Sequence, residues 1–229
     1  MSSVVVSPSI FSSFKARAEA VSAEVHRFPT RAEALAFIVQ FLHAEGVADA
    51  PGSYAVWAGD GFLDAAEKSE LASAVPGLSF SVTREACAAA KVGISLMDAG
   101  KADTGTLVQD SSAVEKRLVS TLPIIHVALV STDSIVADFP ALLARIDPRQ
   151  ANFISFITGP SRTADIERVL TIGVHGPERL VIVAVDEMAA QYTRGESPFQ
   201  KKRQPPKTDS LAAGESAQRS LFENLGGAQ

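Results

Sequence analysis

Short apolar runs alternate with helix-like segments along most of this chain, and this alternation limits the possible folds more than any other feature. The runs are rich in β-branched residues and lie at residues 54–58, 78–82, 92–96, 124–130 and 180–185. Strands separated by helices are typical of parallel sheets whose faces the helices cover. The pattern therefore predicts a three-layer α/β/α domain with a largely parallel sheet, in which ligands bind at the carboxyl ends of the strands.

One stretch predicts a complete strand-helix-strand unit. Residues 153–157 form an apolar run that stops at a Gly-Pro pair, and residues 180–185 form a second run. Both are expected to be buried strands. Between them, residues 161–172 have apolar side chains at helical spacing, so this segment is predicted as a helix. Ser161 or Thr163 would cap it.

The start of this predicted helix is a candidate anion site. Gly159 precedes it, Ser161 supplies a hydroxyl and Arg162 a guanidinium, beside the backbone N–H groups that a helix leaves free in its first turn. Donors grouped in this way suit phosphate or carboxylate. A second interpretation stays open, in which Ser161 and Thr163 only cap the helix and Arg162 only faces water.

A polar turn at residues 103–106 is the other place where chemistry is expected. Gly105 allows close approach of the backbone, and the hydroxyls of Thr104 and Thr106 can donate to an anion. In a parallel sheet this turn and the turn at Gly159 can lie together at one end and share a ligand. The alternative is an ordinary polar turn, because Asp, Thr and Gly are common turn formers.

Composition limits the class of protein. With 229 residues and 46% hydrophobic side chains, the chain can bury one sizeable core. A single cysteine, Cys87, excludes an internal disulfide, and four scattered histidines lack the spacing of the usual zinc sites, so no metal is expected. The net charge of -5 argues against nucleic acid as the main partner. No apolar run is long enough for a membrane span and the N-terminus has no signal-peptide pattern, so a cytoplasmic protein is expected.

The two ends of the chain differ from its middle. Residues 7–28 have apolar side chains at helical spacing, and Thr30 with Glu33 fits a capping box at the start of a second helix. The tail lacks apolar periodicity over most of its length and is expected to be flexible. The predicted organisation is an N-terminal helical segment (1–29), an α/β domain (30–187) and a polar C-terminal tail (188–229).

Two motifs resemble the signatures of a known family. One is Gly-Pro-Ser-Arg-Thr-Ala-Asp-Ile-Glu at residues 159–167, followed by Gly-Val-His-Gly-Pro at residues 173–177. The other is Asp-Thr-Gly-Thr-Leu-Val at residues 103–108, followed by Arg117 and His126. In this order they are similar to the lactate-utilisation (LUD) domain family, particularly its protein C branch. The resemblance covers roughly residues 35–186.

The resemblance implies the fold shared by CoA transferases, ribose-5-phosphate isomerases and sugar-phosphate deaminases. In that fold an acidic residue before a glycine lies in the active cleft, and here it is Asp103, the candidate acid, base or nucleophile. Arg117 falls where the family places a residue facing the cleft, and His126 either faces the core or lines a cleft. The expected ligand-binding residues are Thr104, Gly105, Thr106, Arg117, Gly159, Ser161, Arg162 and Thr163.

In function, the resemblance implies a cytoplasmic subunit of a bacterial L-lactate oxidation system, which converts lactate to pyruvate together with iron–sulfur partner subunits. One cysteine cannot supply the four thiolates that such a cluster usually takes. No cofactor is therefore expected on this chain alone, and the clusters are expected on the partners. Whether the chain, as a non-cluster subunit of an L-lactate dehydrogenase complex, is itself an enzyme stays open. The alternatives are a stand-alone enzyme or a binding module for a phosphorylated or CoA-linked small molecule.

Overall fold

Six parallel strands form the centre of the molecule. The computed structural model describes residues 8–58, 61–164, 170–173 and 175–188. The six strands are β1 (Ala23–Thr30), β2 (Tyr54–Ala58), β3 (Leu78–Ser79), β4 (Ala90–Leu96), β7 (Ile125–Ser131) and β12 (Arg179–Glu187). Their order across the sheet is β1-β12-β7-β4-β2-β3, and each neighbouring pair is parallel. The prediction of a largely parallel sheet is confirmed.

Helices cover both faces of this sheet. They are α1 (Pro8–Ala20), α2 (Arg31–Ala44), α3 (Ala65–Ala74), α4 (Arg84–Ala88), α5 (Val114–Thr121) and α6 (Phe139–Leu143). Ile38 of α2 and Leu71 of α3 belong to the core on one face. Cys87 of α4 and Val119 of α5 are buried together on the other face, and Phe14 of α1 packs against the same face. The three-layer α/β/α architecture is therefore confirmed.

A second, smaller sheet packs beside α1. Its strands are β5 (Ala99–Lys101), β6 (Thr106–Asp110), β8 (Ile135–Val136) and β9 (Ile154–Ile157), in the order β8-β5-β6-β9. Leu107 of β6 shares a core cluster with Phe14 of α1 and Ile182 of β12. The sequence predicts β9 as a buried strand, but it lies at the edge of this sheet with Phe156 exposed, and it pairs antiparallel with β6.

The predicted strand-helix-strand unit is wrong in its middle part. In place of a helix, the chain forms two antiparallel strands, β10 (Arg162–Ala164) and β11 (Leu170–Ile172). β-Branched residues such as Thr163 and Thr171 lose side-chain freedom in a helix and favour extended backbone, so they compete with the helical spacing. Neither Ser161 nor Thr163 therefore caps a helix, and residues 165–169 lie outside the described residues.

The helix predicted over residues 7–28 is also shorter than predicted. Helix α1 covers its first part, Ser22 then adopts a left-handed backbone conformation with φ 70°, and β1 follows. Ala23 and Val25 are buried where β1 pairs with β12, because burial of alternate residues fits this sequence as well as helical spacing does. Strand β1 thus crosses the predicted domain boundary at residue 30.

The second predicted helix is confirmed together with its N-cap. The Thr30 hydroxyl accepts a hydrogen bond from the Glu33 amide at 3.3 Å, and α2 follows directly. Met188 after β12 is buried, whereas the rest of the predicted tail lies outside the described residues. Over the part of the chain that the structure describes, no helix has both the length and the apolar character needed to cross a membrane.

Candidate functional site

The structure brings the two predicted turns together. Strands β6 and β9 pair antiparallel with Leu107 opposite Ile157, so the residues before β6 lie next to those after β9. The Thr106 hydroxyl is hydrogen-bonded to the hydroxyls of Thr104, at 2.7 Å, and Thr158, at 2.8 Å. Hydroxyls that the sequence assigns to an anion therefore already have partners in the chain.

Both turns lie against the segment that enters β1. A Cβ atom added to Gly105 would lie 2.2 Å from the amide nitrogen of Ala18, and one added to Gly159 would lie 2.4 Å from the carbonyl oxygen of Val21. Because Val21 comes just before β1, this is the amino end of the parallel sheet. The two turns are thus not at the carboxyl ends of its strands, where the sequence predicts the ligand.

Two charged residues of the predicted site are bonded within the chain. Arg162 donates to the carbonyl of Val21 at 2.7 Å and to the Ser22 hydroxyl at 2.8 Å. These contacts hold the turn between α1 and β1. Asp103 is half-exposed and accepts a hydrogen bond from the Lys101 ammonium at 2.6 Å.

The other predicted residues are also placed by contacts inside the chain. Arg117 donates to the carbonyl of Ser111 and its guanidinium lies 5.4 Å from the centroid of the Phe153 ring. The Ser161 amide donates to the carbonyl of Pro177 at 2.8 Å, and Thr163 lies in β10. A ligand-binding role for this set stays a prediction.

A cavity opens at the other end of the sheet. The chain leaves β2 towards β3 but leaves β4 towards β7, so the strand order reverses between β2 and β4. At such a reversal the loops diverge to opposite faces and leave a crevice outside the carboxyl ends of the strands. The cavity there measures about 290 Å³ and is lined by Trp57, Ala58, Lys68, Phe80, Val82, Ala113, Glu115 and Lys116.

The wall of the cavity is aromatic. Trp57 is 1% exposed, and its ring centroid lies 6.1 Å from that of Phe62 and 6.0 Å from that of Phe80. The Lys68 ammonium lies 5.9 Å from the centroid of the Phe80 ring, where the face of the ring attracts a cation. An apolar surface and a positive charge therefore meet in one crevice.

Asp98 follows β4 and interacts with the charge of Lys116 from this cavity. Burial raises the pKa of Asp98 to about 6, although the Lys116 charge and a hydrogen bond from the Asp110 amide, 2.5 Å long, act in the opposite direction. A carboxyl group that titrates near neutral pH is suited to general acid–base chemistry. Asp98 is not among the residues that line the cavity, so Asp103 stays the acid–base candidate.

His126 and Cys87 lie in the core. The Nε2 atom of His126 is 2.8 Å from the Ser95 hydroxyl, its Nδ1 atom has no partner among the described residues, and burial lowers its pKa to about 4. Burial also raises the pKa of the Cys87 thiol, which disfavours the thiolate that a nucleophile needs. Among the described residues, no group of three His, Cys, Asp or Glu side chains could hold a metal ion.

Comparison with known families decides the relationship of this chain. The family model described as LUD domain matches residues 11–185, from the first turn of α1 into β12. This chain belongs to the LUD domain family. The match therefore includes the strand β1, the small sheet and the cavity-lining residues described above.

Individual curated relatives of this LUD-domain chain match less than half of it. It is similar to Lactate utilization protein C of Exiguobacterium sp., with 37% identity over 112 residues that make up 46% of this chain and 49% of the relative. Its identity to Lactate utilization protein C of Bacillus subtilis is 38% over 104 residues, 43% of each chain. The chain thus spans about half the length of the curated relatives it matches. A solved DUF162 family protein from Deinococcus radiodurans is 17% identical, with a TM-score of 0.49 over 77% of this chain and 96% of that chain.

Sequence patterns of the LUD-domain chain did not point to its cavity. Trp57 reads as one apolar residue of a strand, and Lys68 and Lys116 as ordinary charges on helices. The available signal was the end of β2 at Ala58, because ligands in parallel sheets bind beyond strand ends. The alternation of strands and helices does not show which strands are neighbours in the sheet. The sequence therefore did not predict the reversal of strand order between β2 and β4.

Proposed function

We propose that this chain serves lactate utilization as a subunit of a bacterial L-lactate oxidation system, working in the cytoplasm. The observation that carries this proposal is the similarity to proteins named Lactate utilization protein C, at 35 to 38% identity over about a hundred residues. Membership of the LUD domain family over residues 11–185 supports it.

In this proposal the redox step belongs to partner subunits. Oxidation of L-lactate to pyruvate releases two electrons and two protons, and the electrons need an acceptor. The chain has one cysteine, which is buried, whereas an iron–sulfur cluster usually takes four thiolates. Iron–sulfur subunits are therefore the partners that fit, and this chain would carry no cluster of its own. Metal analysis of the purified chain tests this, and stoichiometric iron would contradict it.

Growth on L-lactate tests the proposal directly. Deletion of the gene should abolish growth on L-lactate as sole carbon source and leave growth on pyruvate unchanged, and a plasmid copy should restore it. Growth on pyruvate is the control, because only the oxidation step separates the two substrates. Normal growth of the deletion strain on L-lactate would contradict the proposal, provided no second lactate dehydrogenase is expressed, which activity in extracts establishes.

The cavity at the carboxyl ends of the strands supports a second candidate. A crevice that combines an aromatic wall with lysine side chains suits a small anionic ligand, so the chain could act alone on a phosphorylated or CoA-linked molecule, or bind one without chemistry. Purified chain incubated with such compounds separates these functions. Turnover without partners favours an enzyme, and binding without turnover favours a module or a subunit.

A further inference from the structure

The cavity between β2 and α5 concentrates positive charge at an apolar surface. The ammonium groups of Lys68 and Lys116 belong to its lining, and neither forms an ion pair with a carboxylate in the part of the chain that the structure describes. Glu115 also lines the cavity but is exposed, so water screens its charge more than theirs. Asp98, outside the lining, interacts with the charge of Lys116. The described lining residues carry two ammonium groups and one carboxylate, so on balance they favour an anion.

The first turn of α5 adds hydrogen-bond donors to the same cavity. Ala113 occupies the N-cap position, and no side chain there bonds the free amides of the helix. Ala113, Glu115 and Lys116 all line the cavity, so this helix end borders it. Uncapped amides at a helix N-terminus carry a partial positive charge that attracts carboxylate or phosphate oxygens.

The tryptophan of the cavity wall has an unsatisfied donor. Trp57 lines the cavity and is 1% exposed, and its indole Nε1 has no hydrogen-bond partner among the described residues. A buried N–H group without a partner costs about 1–3 kcal/mol, so native proteins usually satisfy it.

The size of the cavity indicates how much of a ligand it can enclose. Its volume of about 290 Å³ is roughly ten times the space that one water molecule takes up in the liquid. This leaves room for about ten non-hydrogen atoms. A three-carbon hydroxy acid or oxo acid fits, whereas the nucleotide part of a CoA ester would have to stay outside.

We propose that this cavity binds a small organic acid, with its carboxylate held by Lys68, Lys116 and the first turn of α5, and its apolar part against Trp57 and Phe80. The assignment rests on the proposed function, which makes L-lactate and pyruvate the acids to test. It gives the site a place in the molecule that differs from the two turns near Gly105 and Gly159.

The single tryptophan of the chain provides the measurement. Titration of the full-length protein with L-lactate or pyruvate should change the Trp57 fluorescence in a saturable way. Lactamide, which lacks the carboxylate, should bind at least tenfold more weakly, and inorganic phosphate more weakly than either acid. Calorimetry of the same titrations detects any ligand that leaves the fluorescence unchanged.

Single substitutions test whether the lysine ammonium groups of the cavity bind the carboxylate. Lys68→Met and Lys116→Met keep most of the length of the side chain and remove its ammonium. Each should weaken binding of the acid roughly ten- to a hundredfold, as expected for a lost charge-assisted hydrogen bond. Lys15→Met is the matched control, because Lys15 lies on α1 in an exposed pair with Glu19. Thermal melts of all three variants confirm that they fold.

The outcomes separate this inference from the proposed function. No binding of either acid, equal binding of lactamide, or normal affinity of both cavity variants would overturn the assignment. Tighter binding of inorganic phosphate would overturn it in favour of a phosphorylated ligand. Should the deletion strain fail to grow on L-lactate while a chain that carries both Lys68→Met and Lys116→Met restores growth fully, the proposed function stands and the cavity assignment falls. If the purified chain binds the acid and the variants lose this binding, but the deletion strain grows normally on L-lactate, the cavity assignment stands and the proposed function falls.

Discussion

At the scale of single residues, Asp98 lowers the free energy of unfolding by an amount that depends on pH. Burial raises its pKa to about 6 in the folded chain, from an ordinary value of 3.8. Between these values the folded state holds a proton that the unfolded chain has lost. The free energy of unfolding therefore falls as the pH rises through this window, and the full cost is present above pH 6.

Asp98→Asn should remove this cost. The amide oxygen can still accept the hydrogen bond from the Asp110 amide, so we expect the variant to be more stable than the natural chain at pH 7, by roughly 1–3 kcal/mol. The difference should vanish below about pH 4. Urea unfolding at a series of pH values measures it. A variant that is less stable at pH 7 would show that the Asp98 carboxylate contributes a favourable contact.

The contribution of His126 to the free energy of unfolding should change with pH in the direction opposite to that of Asp98. Its pKa is lowered to about 4 by burial, from an ordinary 6.5, so the unfolded chain binds a proton in this window and the folded chain does not. The stabilising contribution is complete above pH 6.5 and is lost as the pH falls towards 4. His126→Gln should therefore flatten the acid limb of stability, by roughly 1–3 kcal/mol between these pH values. An unchanged acid limb would mean that folding does not lower the pKa of His126.

At the scale of elements, local chemistry was readable from the sequence and long-range pairing was not. The Thr30 cap and helix α2 follow from neighbours within four residues, which a pattern contains. By contrast, β1 pairs with β12, 157 residues away, as in Glu24 opposite Val181. Such a partner decides a pattern that fits both a helix and a strand. The predicted helix over residues 161–172 is a different case, because β10 and β11 pair with each other, as in Arg162 opposite Ile172.

The docking of α1 on the turn at residues 103–106 gives an element-scale prediction. Gly105 and Gly52 both have positive φ, 64° and 81°, but a Cβ atom at Gly105 would collide with the backbone of Ala18, whereas nothing lies within 4 Å of one at Gly52. Gly52→Ala should cost only the left-handed conformation, about 1–2 kcal/mol. Gly105→Ala should cost about 1–3 kcal/mol more, because the helix must move.

Urea unfolding of the two variants measures this difference. Gly52→Ala serves as the control for backbone strain, so the excess in Gly105→Ala reports the contact with α1 alone. Equal losses would contradict the close packing of α1 on this turn. Such a result would also reopen the turn as a ligand site, since its glycine would then face open space.

At the scale of the whole molecule, the two ends of the parallel sheet differ in structure. At the amino end, the turns at Gly105 and Gly159 pack against the end of α1 and the segment before β1. The side chain of Arg162 forms hydrogen bonds to the same segment. At the carboxyl end, the reversal between β2 and β4 leaves a cavity. The sequence shows that both turns can bind oxygen atoms, but a hydroxyl or guanidinium serves a backbone carbonyl as well as a ligand. Only the packing of α1 distinguishes these uses.

The end of the fold gives the last prediction. Strand β12 lies between β1 and β7, Met188 after it is buried, and Asp186 accepts hydrogen bonds from Arg27 at 2.8 Å and Thr132 at 2.9 Å. A chain that ends at Met188 should therefore melt within a few degrees of the full chain, because the polar residues beyond it lack core-forming periodicity. A chain that ends at Val185 should melt well below both.

Thermal melts and growth on L-lactate of these truncated chains separate three roles for residues 189–229. Coincident melts with normal growth would leave the tail without a role in either. A drop of many degrees for the chain ending at Met188 would contradict the prediction and show that the tail packs on the domain or on a second subunit. Loss of growth with an unchanged melt would assign it to partner binding, because the domain would be intact while the lactate system fails.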